Sequence, residues 1–317
     1  MLRKILVTGD FPIGEDVFSK DFELIHIRRP VDEQQILDVL PDVQDYILGG
    51  PEHLSARFID CAVKLENLVV MGTATASFVD IEYATKKGIR IANTPHMNSQ
   101  SVVEFTLAMM TTCLAKVFES VERVKDGTQW IQTPRPSLTH LNVGFVGMGD
   151  IGSEMARQLH LRGCRKMSYW SRNKKVELES SLGLRFDSLF NMMASVDVLC
   201  IFIKSCDETH HLINEAVLNK ALPTLNIFNL SSPKVICPVA LKKFLLSNSE
   251  AFCFMDGYYD EWAANQGQGN DAYGLLELPS QSLIVTSHMA AQEKETINRM
   301  FTHASARILE MVSNRME

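Results

Sequence analysis

The chain has 317 residues, of which 46% are hydrophobic and 22% charged, a balance that supplies apolar material for two buried cores of ordinary size. A net charge of -7 argues against a large basic face for nucleic acid. No apolar run approaches the roughly 20 residues of a membrane-spanning helix, so no membrane is expected as a partner.

The first hundred residues alternate short apolar runs with helical patterns. Strands are expected over 4–7, 22–27, 45–48, 67–71 and 89–92, with amphipathic helices over 32–40 and 54–63. Such alternation gives a parallel sheet covered by helices. One long helix is then expected over 99–125, with Asn98-Ser99-Gln100-Ser101 as its cap, because neither Pro nor Gly occurs until Gly127. The Pro-rich run Gln132-Thr133-Pro134-Arg135-Pro136-Ser137 reads as a connector. A second alternation follows, with strands over 142–146, 166–170, 196–202, 225–230, 251–255 and 283–286. Gln266-Gly267-Gln268-Gly269-Asn270 reads as an irregular loop, and 293–312 as a long amphipathic helix.

The seven cysteines form no CxxC pair, and most lie among apolar residues, as Cys200 does in Val198-Leu199-Cys200-Ile201-Phe202. Free thiols in a reducing compartment are expected. No secretory pattern is visible where Met1-Leu2-Arg3-Lys4 runs into the first strand, so the expectation is a cytoplasmic protein with no metal site.

The most specific chemical signal follows the apolar run Val143-Gly144-Phe145-Val146. It is Gly147-Met148-Gly149-Asp150-Ile151-Gly152, leading into a helical stretch over 153–161. In that context Gly147 permits a tight turn, Gly149 lets the backbone approach a pyrophosphate, and Gly152 lets helix and strand pack closely. The helix start, with Asp150 and Ile151, offers unused N–H groups to phosphates. The end of the next strand then decides the ribose. An NAD site places a carboxylate there, about 20 residues on. Here the strand end is Trp170-Ser171-Arg172-Asn173-Lys174-Lys175, with no acid and three cations. Ser171, Arg172, Asn173 and Lys174 suit a 2′-phosphate, so NADP(H) is favoured and NAD(H) is the alternative.

With these motifs in place, the sequence resembles the D-2-hydroxyacid dehydrogenase family, which includes phosphoglycerate, formate and phosphite dehydrogenases. Lys86-Lys87-Gly88-Ile89-Arg90-Ile91-Ala92-Asn93-Thr94-Pro95 looks like that family's segment before the hinge. The run from Asn98 to Phe105 is similar to its first interdomain helix, and Thr209-His210-His211-Leu212-Ile213-Asn214 to its T-x-x-L-I-N stretch. Val285-Thr286-Ser287-His288-Met289-Ala290 resembles its catalytic-histidine motif, with Ser287 where proline is usual. The resemblance implies an α/β protein in which a Rossmann dinucleotide-binding domain, 99–289, is inserted into a flavodoxin-like substrate domain made of 1–98 and 290–317. It also implies an interdomain active site and a homodimer.

The family's catalytic set is Arg, Glu and His. By resemblance His288 is the acid/base, and Glu261 the carboxylate that orients it and raises its pKa, with Asp260 a competing candidate. The arginine, which normally clamps the substrate carboxylate, is replaced: Asn229-Leu230-Ser231-Ser232-Pro233 puts Ser232 at its position, with Lys234 nearby. The glycine-rich substrate loop appears as Thr73-Ala74-Thr75-Ala76-Ser77, and His96 stands where glycine is usual. Thr73, Ala74, Thr75, Ala76 and Asn98 are the substrate-binding candidates. The expected function is an NAD(P)-dependent oxidoreductase with a small-molecule substrate of atypical kind. The alternative is a dinucleotide-binding pseudoenzyme that senses redox state or binds a protein.

Overall fold

Apolar residues on both faces of nearly every strand dictate two helix-covered parallel sheets. The structure is a computed structural model; it describes residues 2–14, 17–18, 20–28, 30–73, 75–127, 130–132, 134–259 and 271–314. The chain divides into two compact units, one over Met1–Asn98 and Ala291–Glu317, the other over Ser99–Tyr259 and Asp271–Ala290.

In the first unit β1 (Arg3–Thr8), β2 (Phe22–Ile27), β3 (Asp45–Leu48), β4 (Asn67–Val70) and β5 (Arg90–Asn93) form a parallel sheet in the order β2-β1-β3-β4-β5. That is the flavodoxin-like order. Helices α1 (Glu33–Val39), α2 (Ala56–Cys61) and α3 (Ile81–Lys86) follow β2, β3 and β4. The strand expected over 89–92 thus lies one residue later. On β1 the alternation is double. Leu6 packs into a cluster with Ile36, Leu40, Leu54 and Phe58, while Ile5 and Val7 face Phe301, Ala304 and Ile308 of a helix from far along the chain.

In the second unit the expected 99–125 helix is two helices, α4 (Ser99–Leu114) and α5 (Val117–Lys125). Lys116, with φ of 52°, breaks the run. The expected cap is also not made. Asn98 Oδ1 is buried with no hydrogen-bond partner among the described residues, and Ser101 Oγ donates instead to Ala290 O at 2.8 Å. Helix α4 buries Val103, Met110 and Leu114, whereas α5 buries none of its residues.

The second sheet contains β6 (Val143–Val146), β7 (Met167–Trp170), β8 (Arg185–Phe186), β9 (Val198–Ile201), β10 (Asn226–Asn229), β11 (Phe252–Asp256) and β12 (Leu283–Thr286). It is parallel throughout, in the order β12-β11-β10-β9-β6-β7-β8, a Rossmann order extended by a further strand. Helices α6 (Asp150–Leu161), α7 (Val176–Leu182), α8 (Leu189–Met193), α9 (Glu215–Leu218) and α10 (Pro238–Ser247) cover it. Two core clusters divide the strands by parity: Phe145, Val198, Cys200 and Phe254 on one face, and Val146, Leu199, Ile201 and Met255 on the other. Finally α11 (Lys294–Ser313) returns to the first unit. Strand β8 was not expected from the sequence pattern, and the loop expected at 266–270 lies outside the described residues. Among the described residues no single helix is long and apolar enough to cross a membrane. All seven cysteines are free; Cys164, Cys200 and Cys253 are buried, and the other four are half-buried.

Candidate active site

The glycine turn joins β6 to α6, at the point where the strand order reverses between β9 and β6. Ligands of open α/β sheets bind at this kind of crevice. Gly147 has φ of 95°, and a Cβ there would lie 2.3 Å from Phe202 O, so the turn tolerates only glycine. A Cβ at Gly152 would meet Gly147 O at 2.4 Å, which fixes how closely helix and strand approach. Gly149 differs, because a Cβ there would meet nothing within 4 Å. Its missing side chain leaves room for something outside the protein. The first bond of α6 runs from Ser153 N to Gly149 O at 2.8 Å, so the N–H groups of Ile151 and Gly152 are not used by the helix. Open space, a positive helix end and free donors fit a pyrophosphate. A nicotinamide dinucleotide therefore fits here, and Gly147, Gly149, Asp150, Ile151 and Gly152 are the residues that would hold it.

Beyond β7 the loop is shaped by its own hydroxyl: Ser171 Oγ donates to Asn173 O at 2.6 Å. Lys174 Nζ lies over the Phe186 ring, 5.2 Å from its centroid, which draws that cation toward β8. Arg172 and Asn173 are exposed. The acid-free character of this loop holds for its own residues but not for its surroundings. Glu208, on the loop after β9, is held below the usual carboxylate range chiefly by a hydrogen bond from Cys206, with a smaller contribution from the charge of Arg172. No local pattern marks that neighbour, because 36 positions of chain separate the two.

Three adjacent strands carry the remaining site residues of this unit at the same carboxyl edge. After β10, Ser231 Oγ accepts from Ile203 N at 2.7 Å and donates to Ile201 O at 3.2 Å, so its hydroxyl is committed to the sheet. The Ser232 hydroxyl bonds to none of the described residues, and its carbonyl accepts from Val235 N at 3.1 Å. The T-x-x-L-I-N stretch secures this turn from below: His211 N donates to Lys234 O at 2.8 Å and Ile213 N to Val235 O at 3.0 Å. Lys234 itself is exposed and pairs with no acid among the described residues. Among the described residues no cationic side chain takes the family arginine's place by bonding at Ser232.

Asp256, the last residue of β11, is 5% exposed. Its Oδ1 accepts from Thr286 Oγ1 at 2.7 Å and from Met289 N at 2.8 Å, and its Oδ2 accepts from Ala290 N at 2.8 Å. These bonds bracket His288, whose φ of 55° is the left-handed conformation that non-glycine residues rarely hold. His288 is exposed at the end of β12. An acid at a strand end gives no local signal when its partners lie thirty positions away. Glu261 and Asp260 lie outside the described residues.

In the first unit, Thr73, Thr75 and Ala76 follow β4 at the carboxyl edge; Ala74 lies outside the described residues. Asn93 Nδ2 donates to Thr73 O at 3.3 Å and to Thr75 Oγ1 at 3.2 Å, and Gly72 N to Thr94 Oγ1 at 2.8 Å. The segment is thereby tied to the end of β5, where His96 has φ of 65°. Among the described residues no group of three His, Cys, Asp or Glu side chains converges as a metal site.

Comparison with known proteins agrees with this geometry. Residues 107–290, more than half of the chain, match the family model "D-isomer specific 2-hydroxyacid dehydrogenase, NAD binding domain". The chain is 28% identical to a glyoxylate reductase of Aeropyrum pernix, covering 99% of this chain and 94% of that protein. It is 25% identical to a glyoxylate/hydroxypyruvate reductase B of Pectobacterium atrosepticum, covering 86% and 83%. Among solved structures, the D-lactate dehydrogenase of Aquifex aeolicus complexed with NAD and lactic acid superposes with a TM-score of 0.84 at 21% identity, covering 98% of this chain and 96% of that one. With a dinucleotide cradle at the sheet's switch point and a histidine held at the end of its edge strand, the chain belongs to the D-isomer specific 2-hydroxyacid dehydrogenase family, as an NAD(P)-dependent oxidoreductase.

Proposed function

We propose that the protein is an NADPH-preferring reductase whose carbonyl substrate does not rely on a simple α-carboxylate for anchoring. The observation that carries the substrate reading is the end of β10, where Ser232 offers a hydroxyl and no charge. A carboxylate held by a bidentate guanidinium gains a charge-assisted bond of about 1.5–3 kcal/mol, which serine does not supply. The cofactor reading rests on exposed Arg172 beside an acid-free strand end, with Ser171, Asn173 and Lys174 completing the loop.

The bound nicotinamide supplies the hydride. His288 donates the proton to the substrate oxygen, and the bonds that Asp256 accepts on either side hold the backbone turn that carries it. Glu261 is assigned, by its place in the sequence, to support His288. Thr73, Ala74, Thr75, Ala76 and Asn98 are assigned to the substrate, and the buried, unpartnered Oδ1 of Asn98 suits a hydroxyl or N–H donor on it. The first unit is thus the substrate domain and the second the cofactor domain.

The test is NADPH oxidation with glyoxylate, hydroxypyruvate and pyruvate beside a panel of aldehydes and ketones. The simple oxoacids should be poor substrates, and His288→Ala should lower turnover of the best substrate by about 100- to 10,000-fold. Turnover of glyoxylate with kcat/KM of about 10,000 per molar per second or more would remove the substrate reading.

A homodimer is part of the same reading. Helix α5 presents Val117, Phe118, Val121 and Val124 to solvent along one stripe, and Trp130 beyond it is 85% exposed. A second copy of this surface is the natural cover for such a stripe. Light scattering that gives one chain per particle at micromolar concentration would exclude it. The free thiols support a cytoplasmic setting.

A further inference from the structure

At the amino edge of the first unit's sheet, away from the loops after β4 and β5, lies a recess of about 620 Å³. Four-residue strands put it about 13 Å from the carboxyl edge of the same sheet. Its walls include Lys64, Lys87 and Arg90, against one acid, Glu66. Gly88 also lines it, with φ of 81°, and a Cβ on Gly88 would meet nothing within 4 Å, so the wall stays open there.

The cations around this edge are not treated alike. Lys64 Nζ lies 2.5 Å from Asp42 Oδ1, and Lys87 Nζ 2.6 Å from Asp60 Oδ1. Arg3 bonds both Asp45 and Glu66, the latter at 2.7 Å. Arg90, the first residue of β5, has no such partner. Its Nη2 is buried without an acceptor, and no nitrogen of its guanidinium bonds a described residue. A shielded guanidinium donor without an acceptor is costly, and a structural arginine at a strand start is normally satisfied. The lysine pairs are different in kind. Both partners of each are about half exposed, and such pairs are nearly neutral in water, so either lysine can turn inward at little cost.

We propose that this recess binds a small oxyanion, the phosphate or carboxylate of a metabolite. Arg90 is its primary contact, by a turn of the guanidinium that brings the shielded Nη2 to the ligand, and Lys64 and Lys87 are movable flanks. The lining itself carries three cations to one carboxylate, and Asp42 and Asp60, which pair with two of those cations, are not among the lining residues. A planar guanidinium with unused donors matches two oxygens of either anion. The volume is that of a small-molecule site. Every wall of the recess belongs to the first unit, and the glycine turn belongs to the second.

The experiment is a titration of the full chain, saturated with cofactor, followed by amide and guanidinium NMR signals. Inorganic phosphate and malonate are the two probes, each against chloride at matched ionic strength. Saturable shifts of Gly88 and of the Arg90 Nε–H are expected with at least one probe, and the responding probe tells phosphate from carboxylate. Arg90→Gln should weaken that binding by about tenfold or more, as the loss of a charge-assisted bond implies. Arg90→Lys, which keeps the charge without the fork, should fall between. Gly149→Val, titrated without cofactor beside the cofactor-free parent, should leave the recess titration unchanged. Shifts no larger than those with chloride, shifts confined to Gly147–Gly152, or unchanged binding in Arg90→Gln would each overturn the proposal.

Discussion

Replacing Asp256 tests whether a buried carboxylate positions the histidine. In the folded chain it accepts one hydroxyl and two backbone N–H bonds at 2.7, 2.8 and 2.8 Å while only 5% exposed. Asp256→Ala leaves three donors to find water or remain unmade. Each buried orphan costs about 1–3 kcal/mol, and partial hydration of the turn trims the sum, so a loss of about 3–5 kcal/mol is expected. Asp256→Asn keeps the shape and one oxygen, but turns an NH2 group toward a donor; about 2–3 kcal/mol is expected. Urea unfolding followed by circular dichroism gives both values. The second readout is turnover by the Asn variant at a urea-free temperature where it is fully folded. Without the clamp the left-handed turn at His288 relaxes, and a displacement near 1 Å lowers kcat by about a hundredfold with little change in cofactor affinity. An Asn variant with the parent's urea midpoint and the parent's kcat would refute this account of the turn.

The glycine turn gives a paired prediction. Gly149→Val should fold with unchanged stability, since its Cβ enters open space, yet lose dinucleotide binding by calorimetry. Gly147→Ala should instead unfold earlier, by about 1–3 kcal/mol or more, because its Cβ meets the Phe202 carbonyl. For cofactor choice, NADPH should bind more tightly than NADH at low ionic strength, and Ser171→Asp should reverse the order; equal parent affinities would end that reading. Alkaline pH should destabilise the fold. Burial pushes the Cys113 thiol up to about 12, and also raises Cys200, Cys253, Tyr258 and Tyr259. The unfolded chain therefore releases these protons first, from the ordinary thiol value of 9.0 upward. The stabilisation is complete below about pH 9 and is lost as pH rises through the folded values. A urea midpoint equal at about pH 8 and pH 10 would contradict it.

Much of the fold was legible because most strands are apolar on both faces. The expected bounds of β2, β3 and β12 coincide with the observed ones. Strand β5, an edge strand that is half-buried throughout and has polar residues at both ends, lacks that two-sided apolar run, and its bounds lie one residue later than expected. The break at Lys116 was invisible, because breaker rules rest on Gly and Pro, and this one is a lysine in the left-handed region. The pattern change across it was present in the sequence: α4 buries its apolar residues and α5 exposes them. Of the site, the glycine turn was legible from local order alone, since strand, glycines and helix are contiguous. Asp256, Glu208 and Arg90 were not. Each matters through residues distant in sequence, or through a partner it lacks.

The return of α11 to the first sheet bears on how the chain folds during synthesis. Ile5, Val7, Ile47 and Val69 share their buried cluster with Phe11 and with Phe301, Ala304 and Ile308 of α11. One face of the first sheet therefore emerges from the ribosome long before the helix that shields it. The interval is bridged by the second unit, whose folding brings Ser101 Oγ to 2.8 Å from Ala290 O. With those points joined, the free loop between β5 and α11 shrinks more than tenfold, which removes roughly 2–3 kcal/mol of closure entropy. The inserted unit thus acts as a staple for the unit that was begun before it. Mutations that slow its folding should prolong the exposure of an apolar sheet face they never touch.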